Sequence, residues 1–187
     1  MQTAALLGVL AGGRGTRMGG RDKAALPAPG GAETLLARLI RLGHGAGLEV
    51  VVVGRQAAAG VPWIGDDPAG VGPIGGLCAL LAHAGARPAL ALACDLPHAT
   101  TALIERLART PSDAPVLAPR DLETGKWQPL FARYDSPRVL PVLRRAIAAG
   151  TRSFQTFLRG LEVQELVLDA NERELLRDWD APADIDS

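Results

Sequence analysis

Short, almost wholly apolar runs alternate along the chain with segments whose apolar residues recur every three or four positions. The apolar runs are typical of strands buried on both faces, whereas the spacing of Leu35, Leu36, Leu39 and Ile40 is typical of an amphipathic helix. Strands are predicted at 4–10, 48–53, 61–64, 89–93, 116–118, 127–134 and 163–168. Helices are predicted at 34–42, 77–83, 136–149 and 153–158, with one more that Thr100 or Thr101 caps and that ends at Arg109.

This alternation of strand and helix predicts an α/β fold with three layers, in which helices cover both faces of a mostly parallel central sheet. A length of 187 residues suits one domain, so we expect a single domain spanning 1–187. Ligands of such sheets bind at the carboxyl ends of the strands. The loop after strand 4–10 and the turn after strand 89–93 should therefore open on the same rim.

Composition narrows the class of protein. The chain has 20 basic and 20 acidic residues, so nothing indicates a nucleic-acid or membrane-surface partner. No apolar run reaches the roughly 18 residues of a transmembrane helix, and the N-terminus lacks the basic region of a signal peptide. Because Cys78 and Cys94 are the only two cysteines, a disulfide scaffold is excluded. We expect a cytoplasmic protein.

The most unusual segment, Leu10 to Lys23, follows the first predicted strand. Five glycines lie within the nine residues 12–20, and three arginines and a lysine lie among or just after them. Glycine lets a backbone approach a ligand closely, and successive exposed N–H groups form a hollow that binds anions. The segment therefore predicts a polyphosphate-binding loop. A surface loop with solvated arginines is the alternative, although ordinary connections are only about 4–6 residues long.

Two common phosphate-binding motifs do not fit this segment. A P-loop requires a Gly-Lys pair followed by Ser or Thr, and no such pair occurs here. The spacing of Gly13, Gly15 and Gly19 approaches a dinucleotide-binding fingerprint, but that fingerprint must open directly into a helix. Pro27 and Pro29 follow the glycines, and proline does not fit a helix interior. A different nucleotide-binding loop is therefore indicated.

The same segment resembles the N-terminal signature of the molybdenum cofactor guanylyltransferase family and of related nucleotidyltransferases. The shared residues are Leu-Ala-Gly-Gly at 10–13, Arg-Met-Gly at 17–19 and Lys23. The resemblance implies a Rossmann-like nucleotidyltransferase fold and a catalytic role for Arg17 and Lys23. Fixed cations of this kind stabilise the negative charge that moves onto a departing pyrophosphate. The implied nucleotide-binding residues in this part of the chain are Leu10, Ala11, Gly12, Gly13 and Lys23.

Asp95 follows the apolar strand 89–93 within the segment Cys94-Asp95-Leu96-Pro97. A carboxylate here fits two roles, a cap for the next helix or a ligand of Mg²⁺, which binds one or two carboxylates together with substrate phosphates. The Cys-Asp-x-Pro pattern also resembles the guanylyltransferase family, whose aspartate binds the metal. The resemblance therefore implies that Asp95 is catalytic, contacts the nucleotide and binds Mg²⁺, with Asp180 as a second candidate ligand.

A second glycine-rich segment, Asp66 to Gly76, resembles the family's nucleotide-recognition loop, with Asp66 in the position of its aspartate. A carboxylate can accept both donors on one edge of guanine, the N1–H and the exocyclic amine. We therefore expect Asp66 to bind the base, while a turn-forming aspartate is the alternative. Gly54 departs from the family, which has Asn there, and this departure leaves the choice between guanine and cytosine open.

Three later segments resemble the family less specifically. Gln128 to Phe131 is implied to lie near the pterin substrate. The segment from Gly150 to Phe154 offers Arg152 and helix N–H groups to a phosphate, and for both segments a structural role is the alternative. The tail at 178–184 resembles the family's Asn-x-Asn-Thr-Pro ending but has Asp at both Asn positions.

The implied reaction transfers GMP from GTP to molybdenum-bound molybdopterin, with Mg²⁺ as cofactor, and releases pyrophosphate. The terminal phosphate of molybdopterin is already anionic at neutral pH, so positioning and charge neutralisation suffice. The alternatives are a cytidylyltransferase or other nucleotidyltransferase on the same scaffold, and a nucleotide-binding regulator without catalysis. The expected partners are GTP, the pterin phosphate and, transiently, proteins that handle molybdenum cofactor.

Overall fold

A seven-stranded sheet lies at the centre of the computed structural model, which describes residues 4–12, 23–56 and 60–177. The strands are β1 (Leu6–Leu10), β2 (Glu49–Val53), β3 (Trp63–Ile64), β4 (Ala89–Ala93), β5 (Val116–Ala118), β6 (Phe131–Tyr134) and β7 (Val163–Glu165). Their spatial order is β3-β2-β1-β4-β6-β5-β7. Neighbouring strands are parallel except where β6 pairs with β4 and β5, so among the described strands only β6 runs in the opposite direction.

Six α-helices accompany these strands in the described residues. They are α1 (Leu35–Gly45), α2 (Pro73–Ala84), α3 (Thr101–Arg109), α4 (Ser136–Ala148), α5 (Phe154–Leu158) and α6 (Ala170–Leu175), and a 3₁₀ turn covers Lys23–Ala25. Five begin at a side chain that accepts a hydrogen bond from a backbone N–H of the first turn. These caps are Thr34, Thr100, Asp135, Ser153 and Asp169. None of the described helices has the length and apolar character needed to cross a membrane.

Helices cover both faces of the sheet, and β1 shows how the sequence produces this arrangement. Leu6 and Leu10 pack in the core formed with α2 and α4, whereas Leu7 and Val9 pack in the core formed with α1 and α3. All four side chains are at most 7% exposed. A strand buried on both faces has an apolar residue at every position, which is why its sequence shows no alternation. The predicted three-layer α/β fold is confirmed.

Several element boundaries differ from the sequence-based predictions. The strand predicted at 61–64 begins only at Trp63, and the helix predicted at 34–42 continues to Gly45. The helix α6 was not predicted. The strand predicted at 127–134 begins only at Phe131, and the residues before it form a turn. The helix predicted at 77–83 begins at Pro73, because proline fits the first position of a helix, where its missing N–H is not needed. The strand predicted at 163–168 ends at Glu165.

Candidate functional site

The carboxyl ends of β1, β2 and β4 meet at one rim of the sheet. Leu10, the last residue of β1, pairs with Val53 on one side and with Ala93 on the other. Two hydrogen bonds extend the contact beyond the strands. The Ala11 N–H donates to the Val53 carbonyl at 2.9 Å, and the Cys94 N–H donates to the Leu10 carbonyl at 3.2 Å. The start of the glycine-rich loop therefore lies beside the turn that follows β4.

The backbone of Gly54, the first residue after β2, packs against the backbone of Gly12 at the start of that loop. Its φ of +90° is in the left-handed region that favours glycine. A Cβ atom on Gly54 would lie 2.8 Å from the Gly12 Cα and 2.9 Å from the Gly12 nitrogen. In this chain the two backbones are in direct contact, so position 54 leaves no room for a side chain.

The Asp66 carboxylate lies at the same rim, between the end of β2 and the start of α2. Its Oδ1 is 3.2 Å from the position of a Cβ atom on Gly54 and 3.1 Å from that of a Cβ atom on Gly76. Burial raises the pKa of this carboxyl group. No hydrogen bond to it comes from residues 4–12, 23–56 or 60–177. The absence of side chains at Gly54 and Gly76 therefore makes room for a half-buried acceptor.

The turn that carries Asp95 is fixed by the core and by α1. Leu96 and Ala99 are buried in the core that lies between the sheet, α1 and α3. From α1, the Arg38 guanidinium donates hydrogen bonds to the carbonyl oxygens of Pro97 at 3.0 Å and Ala99 at 3.2 Å. Both ends of the turn are therefore held in place, and Asp95 lies half-buried between them.

Asp95 does not cap the helix that follows it. The N-cap of α3 is Thr100, whose hydroxyl accepts a hydrogen bond from the Leu103 N–H at 3.3 Å. The alternative role for Asp95 as a helix cap is therefore wrong. A ligand-binding role stays a prediction for this carboxylate.

A hairpin-like segment, residues 119–130, borders the rim on the other side of β4. The Ala93 N–H donates to the Leu130 carbonyl at 2.8 Å, so this segment stands next to the turn after β4. Arg120 and Trp127 pair across the segment, with the guanidinium carbon 5.4 Å from the centroid of the indole ring. This distance is typical of a cation–π interaction. The 119–130 segment thus forms an ordered wall of the rim.

Gln155 of α5 fixes the backbone of the 119–130 segment with two hydrogen bonds. Its Oε1 accepts from the Trp127 N–H at 3.2 Å, and its Nε2 donates to the Trp127 carbonyl at 2.7 Å. The amide thus replaces the partner that a neighbouring strand would supply. This pair of hydrogen bonds connects the residue that precedes segment 128–131 to the residue that follows segment 150–154.

Arg152 faces the end of α4 in this structure. Its Nη1 donates to the carbonyl oxygens of Ile147 at 3.0 Å and Thr151 at 2.9 Å. Carbonyl groups at a helix end lack partners within the helix, and a basic side chain commonly binds them. The arrangement supports a structural role for Arg152 and gives no support to the predicted contact with a phosphate.

Comparison with known proteins decides the family. Residues 7–168 match the family described as MobA-like NTP transferase domain. The chain belongs to this family. A molybdenum cofactor guanylyltransferase from Pseudomonas putida is 39% identical over 176 residues, which cover 89% of this chain and 88% of that protein. The family resemblance expected from the N-terminal motif is confirmed.

Solved structures of nucleotidyltransferases share the fold of this MobA-like NTP transferase domain. Molybdopterin-guanine dinucleotide biosynthesis protein A from Archaeoglobus fulgidus matches with a TM-score of 0.80 at 24% identity, over 96% of this chain and 94% of that one. The 2-C-methyl-D-erythritol 4-phosphate cytidylyltransferase from Thermus thermophilus matches with a TM-score of 0.69 at 16% identity, over 99% and 96% of the two chains. The predicted Rossmann-like nucleotidyltransferase fold is confirmed.

Five of the predicted site residues lie together at the rim of this MobA-like NTP transferase domain. They are Leu10, Ala11, Gly12, Asp66 and Asp95. The roles of these residues stay predictions.

Gly13, Arg17 and Asp180 lie outside the described residues. Lys23 begins the 3₁₀ turn through which the chain leaves the glycine-rich loop.

The donor set at the rim suits Mg²⁺ better than a metal that needs a full set of protein ligands. Residues 4–12, 23–56 and 60–177 contain no group of three or more His, Cys, Asp or Glu that could hold a metal ion. Magnesium does not require such a group, because it keeps several waters and binds one or two carboxylates together with substrate phosphates. One rim carboxylate, Asp95, beside the loop that is predicted to bind phosphate fits that requirement.

Sequence-based reasoning missed Arg38 and Gln155. Their hydrogen-bond partners are distant along the chain, since Arg38 contacts residues 59 and 61 positions away and Gln155 contacts a residue 28 positions away. In the sequence, both look like ordinary polar positions of a surface helix. No pattern in a single sequence links such a residue to the turn that it holds.

Proposed function

We propose that this chain transfers GMP from GTP to molybdenum-bound molybdopterin, which forms molybdopterin guanine dinucleotide and releases pyrophosphate. The observation that carries the proposal is the shared rim, on which the start of the glycine-rich loop, Asp66 and the Asp95 turn meet. Ligands of open α/β sheets bind at such carboxyl ends. Family membership and the 39% identical guanylyltransferase from Pseudomonas putida support the same reaction.

In the proposed step, an oxygen of the terminal phosphate of molybdopterin attacks the α-phosphorus of GTP. A new P–O bond forms there, the bond from the α-phosphorus to the oxygen shared with the β-phosphorus breaks, and pyrophosphate leaves with the bonding electrons. The attacking oxygen is already anionic, so no side chain needs to remove a proton. The chain's task is to hold two anionic groups in line and to offset their charge.

The proposed phosphate site combines backbone and side chains. The N–H groups of the 10–13 segment hold the phosphates of GTP, as in other anion-binding loops. Arg17 and Lys23 supply positive charge to the departing pyrophosphate. Asp95 would hold Mg²⁺ at this site, and Asp180 is a second candidate ligand. When bound there, the ion neutralises part of the negative charge of the phosphates.

Asp66 is the proposed reader of the base. Its carboxylate is half-buried at the rim, and the absence of side chains at Gly54 and Gly76 leaves room for the carboxylate there. Guanine presents two donors on one edge, whereas cytosine presents only its amine to a carboxylate. A pocket whose polar groups would be left unpaired rejects the wrong base strongly. We therefore propose a preference for GTP over CTP.

The same proposal includes where the chain acts and which proteins it contacts. The whole chain, 1–187, acts as one domain in the cytoplasm. Molybdopterin is delivered and its product collected through transient contacts with proteins that handle molybdenum cofactor. The balance of 20 basic and 20 acidic residues is compatible with transient protein contacts rather than with binding to nucleic acid.

A pyrophosphate-release assay tests the proposal. The full chain is incubated with Mg²⁺, a molybdopterin acceptor, and GTP or CTP, and kcat/KM is measured for each nucleotide. We expect release that requires the acceptor and that is faster with GTP. A preference for CTP would instead identify a cytidylyltransferase, and nucleotide binding without any pyrophosphate release would identify a regulator.

A further inference from the structure

Arg38 connects two segments of the proposed site that are far apart in sequence. It lies on α1, half-buried, and its guanidinium spans the turn after β4. Nε donates to the Pro97 carbonyl at 3.0 Å, and Nη2 donates to the Ala99 carbonyl at 3.2 Å. A guanidinium is a rigid fork, so two simultaneous hydrogen bonds fix the direction of the backbone as well as its distance.

The backbone around Asp95 is held on both sides, by the Arg38 guanidinium on one side and by a second contact on the other. On its N-terminal side, the Cys94 N–H donates to the Leu10 carbonyl at 3.2 Å. On its C-terminal side, Leu96 is 5% exposed and packs into the core before the chain reaches Pro97. The backbone that carries the Asp95 carboxylate is therefore fixed within one residue on one side and within two on the other.

The same helix also fixes the exit of the glycine-rich loop. The Leu35 N–H donates to the Leu26 carbonyl at 2.9 Å, and the Ala28 N–H donates to the Glu33 carbonyl at 2.9 Å. Leu26 directly follows the 3₁₀ turn that begins at Lys23. Because a helix is stiff over its length, α1 sets the separation between the Lys23 backbone and the turn that Arg38 holds.

We propose that Arg38 is a positioning residue for Asp95, and that it keeps the aspartate beside the start of the glycine-rich loop, Leu10 to Gly12, where its carboxylate would hold a divalent cation together with GTP. This role rests on the proposed function of Asp95 as the metal ligand. Arg38 itself touches neither metal nor substrate. Its loss should weaken metal binding, since groups that orient a metal ligand typically contribute 10–100-fold to metal affinity.

Metal affinity tests the role without relying on turnover. Mn²⁺ takes the same oxygen ligands as Mg²⁺ and is paramagnetic, so its binding to the full chain with GTP can be titrated by electron paramagnetic resonance. Arg38→Met is expected to weaken Mn²⁺ binding about tenfold, the lower end of that range. Arg41→Met is the matched control, because Arg41 lies on the same helix but pairs with Glu33 at the surface. It should leave Mn²⁺ affinity unchanged.

A double-mutant cycle separates positioning from general support of the fold. In an Asp95→Asn background, Arg38→Met should cause no further loss of Mn²⁺ affinity. An equal loss in that background would overturn the proposal, and so would wild-type affinity in Arg38→Met. If Asp95→Asn alone leaves Mn²⁺ affinity unchanged, the metal role of Asp95 fails and the positioning role fails with it.

Arg38→Lys keeps the test decisive if Arg38→Met does not fold. Lysine retains the charge and the aliphatic stem but replaces the two-pronged donor with a single ammonium group. A loss of Mn²⁺ affinity smaller than that of Asp95→Asn, and again absent in the Asp95→Asn background, would support positioning by the guanidinium fork. Affinity equal to that of wild type would overturn it.

Discussion

Gly54 and Gly12 pack backbone against backbone, and a Cβ atom on Gly54 would lie only 2.8 Å from the Gly12 Cα. The contact joins the segment after β2 to the first residues of the loop that we expect to hold the phosphates. Any side chain at position 54 must push the two segments apart. The position of the proposed phosphate site therefore depends on a residue that has no side chain.

Gly54→Ala should destabilise the protein and weaken GTP binding together. The alanine is strained at φ +90°, which costs about 1–2 kcal/mol, and its Cβ also overlaps the Gly12 backbone. Gly47→Ala is the matched control, because Gly47 has φ +74° and no atom within 4 Å of a Cβ. Urea unfolding and GTP titration of both variants check the prediction. Equal effects of the two substitutions on GTP affinity would contradict it.

Lys23→Ala should lower kcat about 100-fold or more, because a well-placed electrostatic group at a transition state typically contributes that much. Single-turnover kinetics with GTP, Mg²⁺ and the acceptor measure the chemical step. The unfolding midpoint of the variant serves as its control and should match that of wild type. Normal turnover would show that the lysine only contributes surface charge.

Asp66→Asn should reduce the preference for GTP over CTP. The asparagine amide offers one acceptor oxygen where the carboxylate offers two, so the two donors on the guanine edge can no longer both pair with it. The measurement is the ratio of kcat/KM for GTP to that for CTP, in wild type and variant. A ratio unchanged by the substitution would assign base recognition to other groups, and the backbone of 10–13 is the first candidate.

The same substitution should stabilise the fold at neutral pH. Burial raises the pKa of Asp66 in the folded state, so the folded protein binds this proton more tightly than the unfolded chain. Its contribution to stability is fully present below the unfolded pKa and is lost as pH rises through the folded pKa.

Asp66→Asn removes that loss of stability. We expect a higher free energy of unfolding for the variant at pH 7, and the difference should shrink to zero as the pH falls below about 3.9. Asp67→Asn is the control, because it makes the same change in charge at an exposed neighbour and should alter stability by less than about 0.5 kcal/mol. Urea titrations across this pH range give the result. A gain that does not vary with pH would count against burial as its cause.

Gln155→Met should raise the KM for the molybdopterin acceptor more than the KM for GTP. Methionine has a similar shape but leaves the Trp127 N–H and carbonyl without their partner, which costs roughly 1–3 kcal/mol. The 119–130 segment would then lose its fixed position. Gln164→Met removes a comparable hydrogen bond, to the Pro111 carbonyl, and should change neither KM. Equal changes in both KM values for Gln155→Met would contradict a role on the acceptor side.

The sequence predicts the buried part of the fold well because burial leaves a pattern. The apolar run of β2, Val50 to Val53, has no polar position, and its four residues are at most 1% exposed. Asp95 was singled out for a related reason, since a carboxylate directly after such a run must lie where the strand leaves the core. The roles of Asp95 and of the glycine-rich loop stay predictions.

The direction of a strand, and contacts between residues that are distant along the chain, leave no such pattern in the sequence. The four residues of β6 indicate burial but not that the strand runs against its neighbours. The Arg38 and Gln155 side chains bond to backbone groups: carbonyl oxygens, which every residue type has, and one N–H, which every residue type except proline has. A single sequence therefore contains nothing that marks their partners. Gly54 is an intermediate case, because the sequence shows a glycine but not the backbone that it contacts.

Because β6 runs in the reversed direction, the two halves of the rim differ in how easily their loops can gain or lose residues. On the side that we propose for GTP, segments leave the ends of β1, β2 and β4, and each leads to a strand that runs in the same direction. The chain must therefore return to the opposite edge of the sheet before that strand begins, so an inserted residue disturbs a whole crossover. On the other side, the 119–130 segment simply joins β5 to the neighbouring β6, with Leu122 67% exposed near its tip. Residues can be gained or lost there while both strands keep their register. The side that we expect to bind the acceptor can thus vary over evolutionary time without rebuilding the proposed nucleotide site.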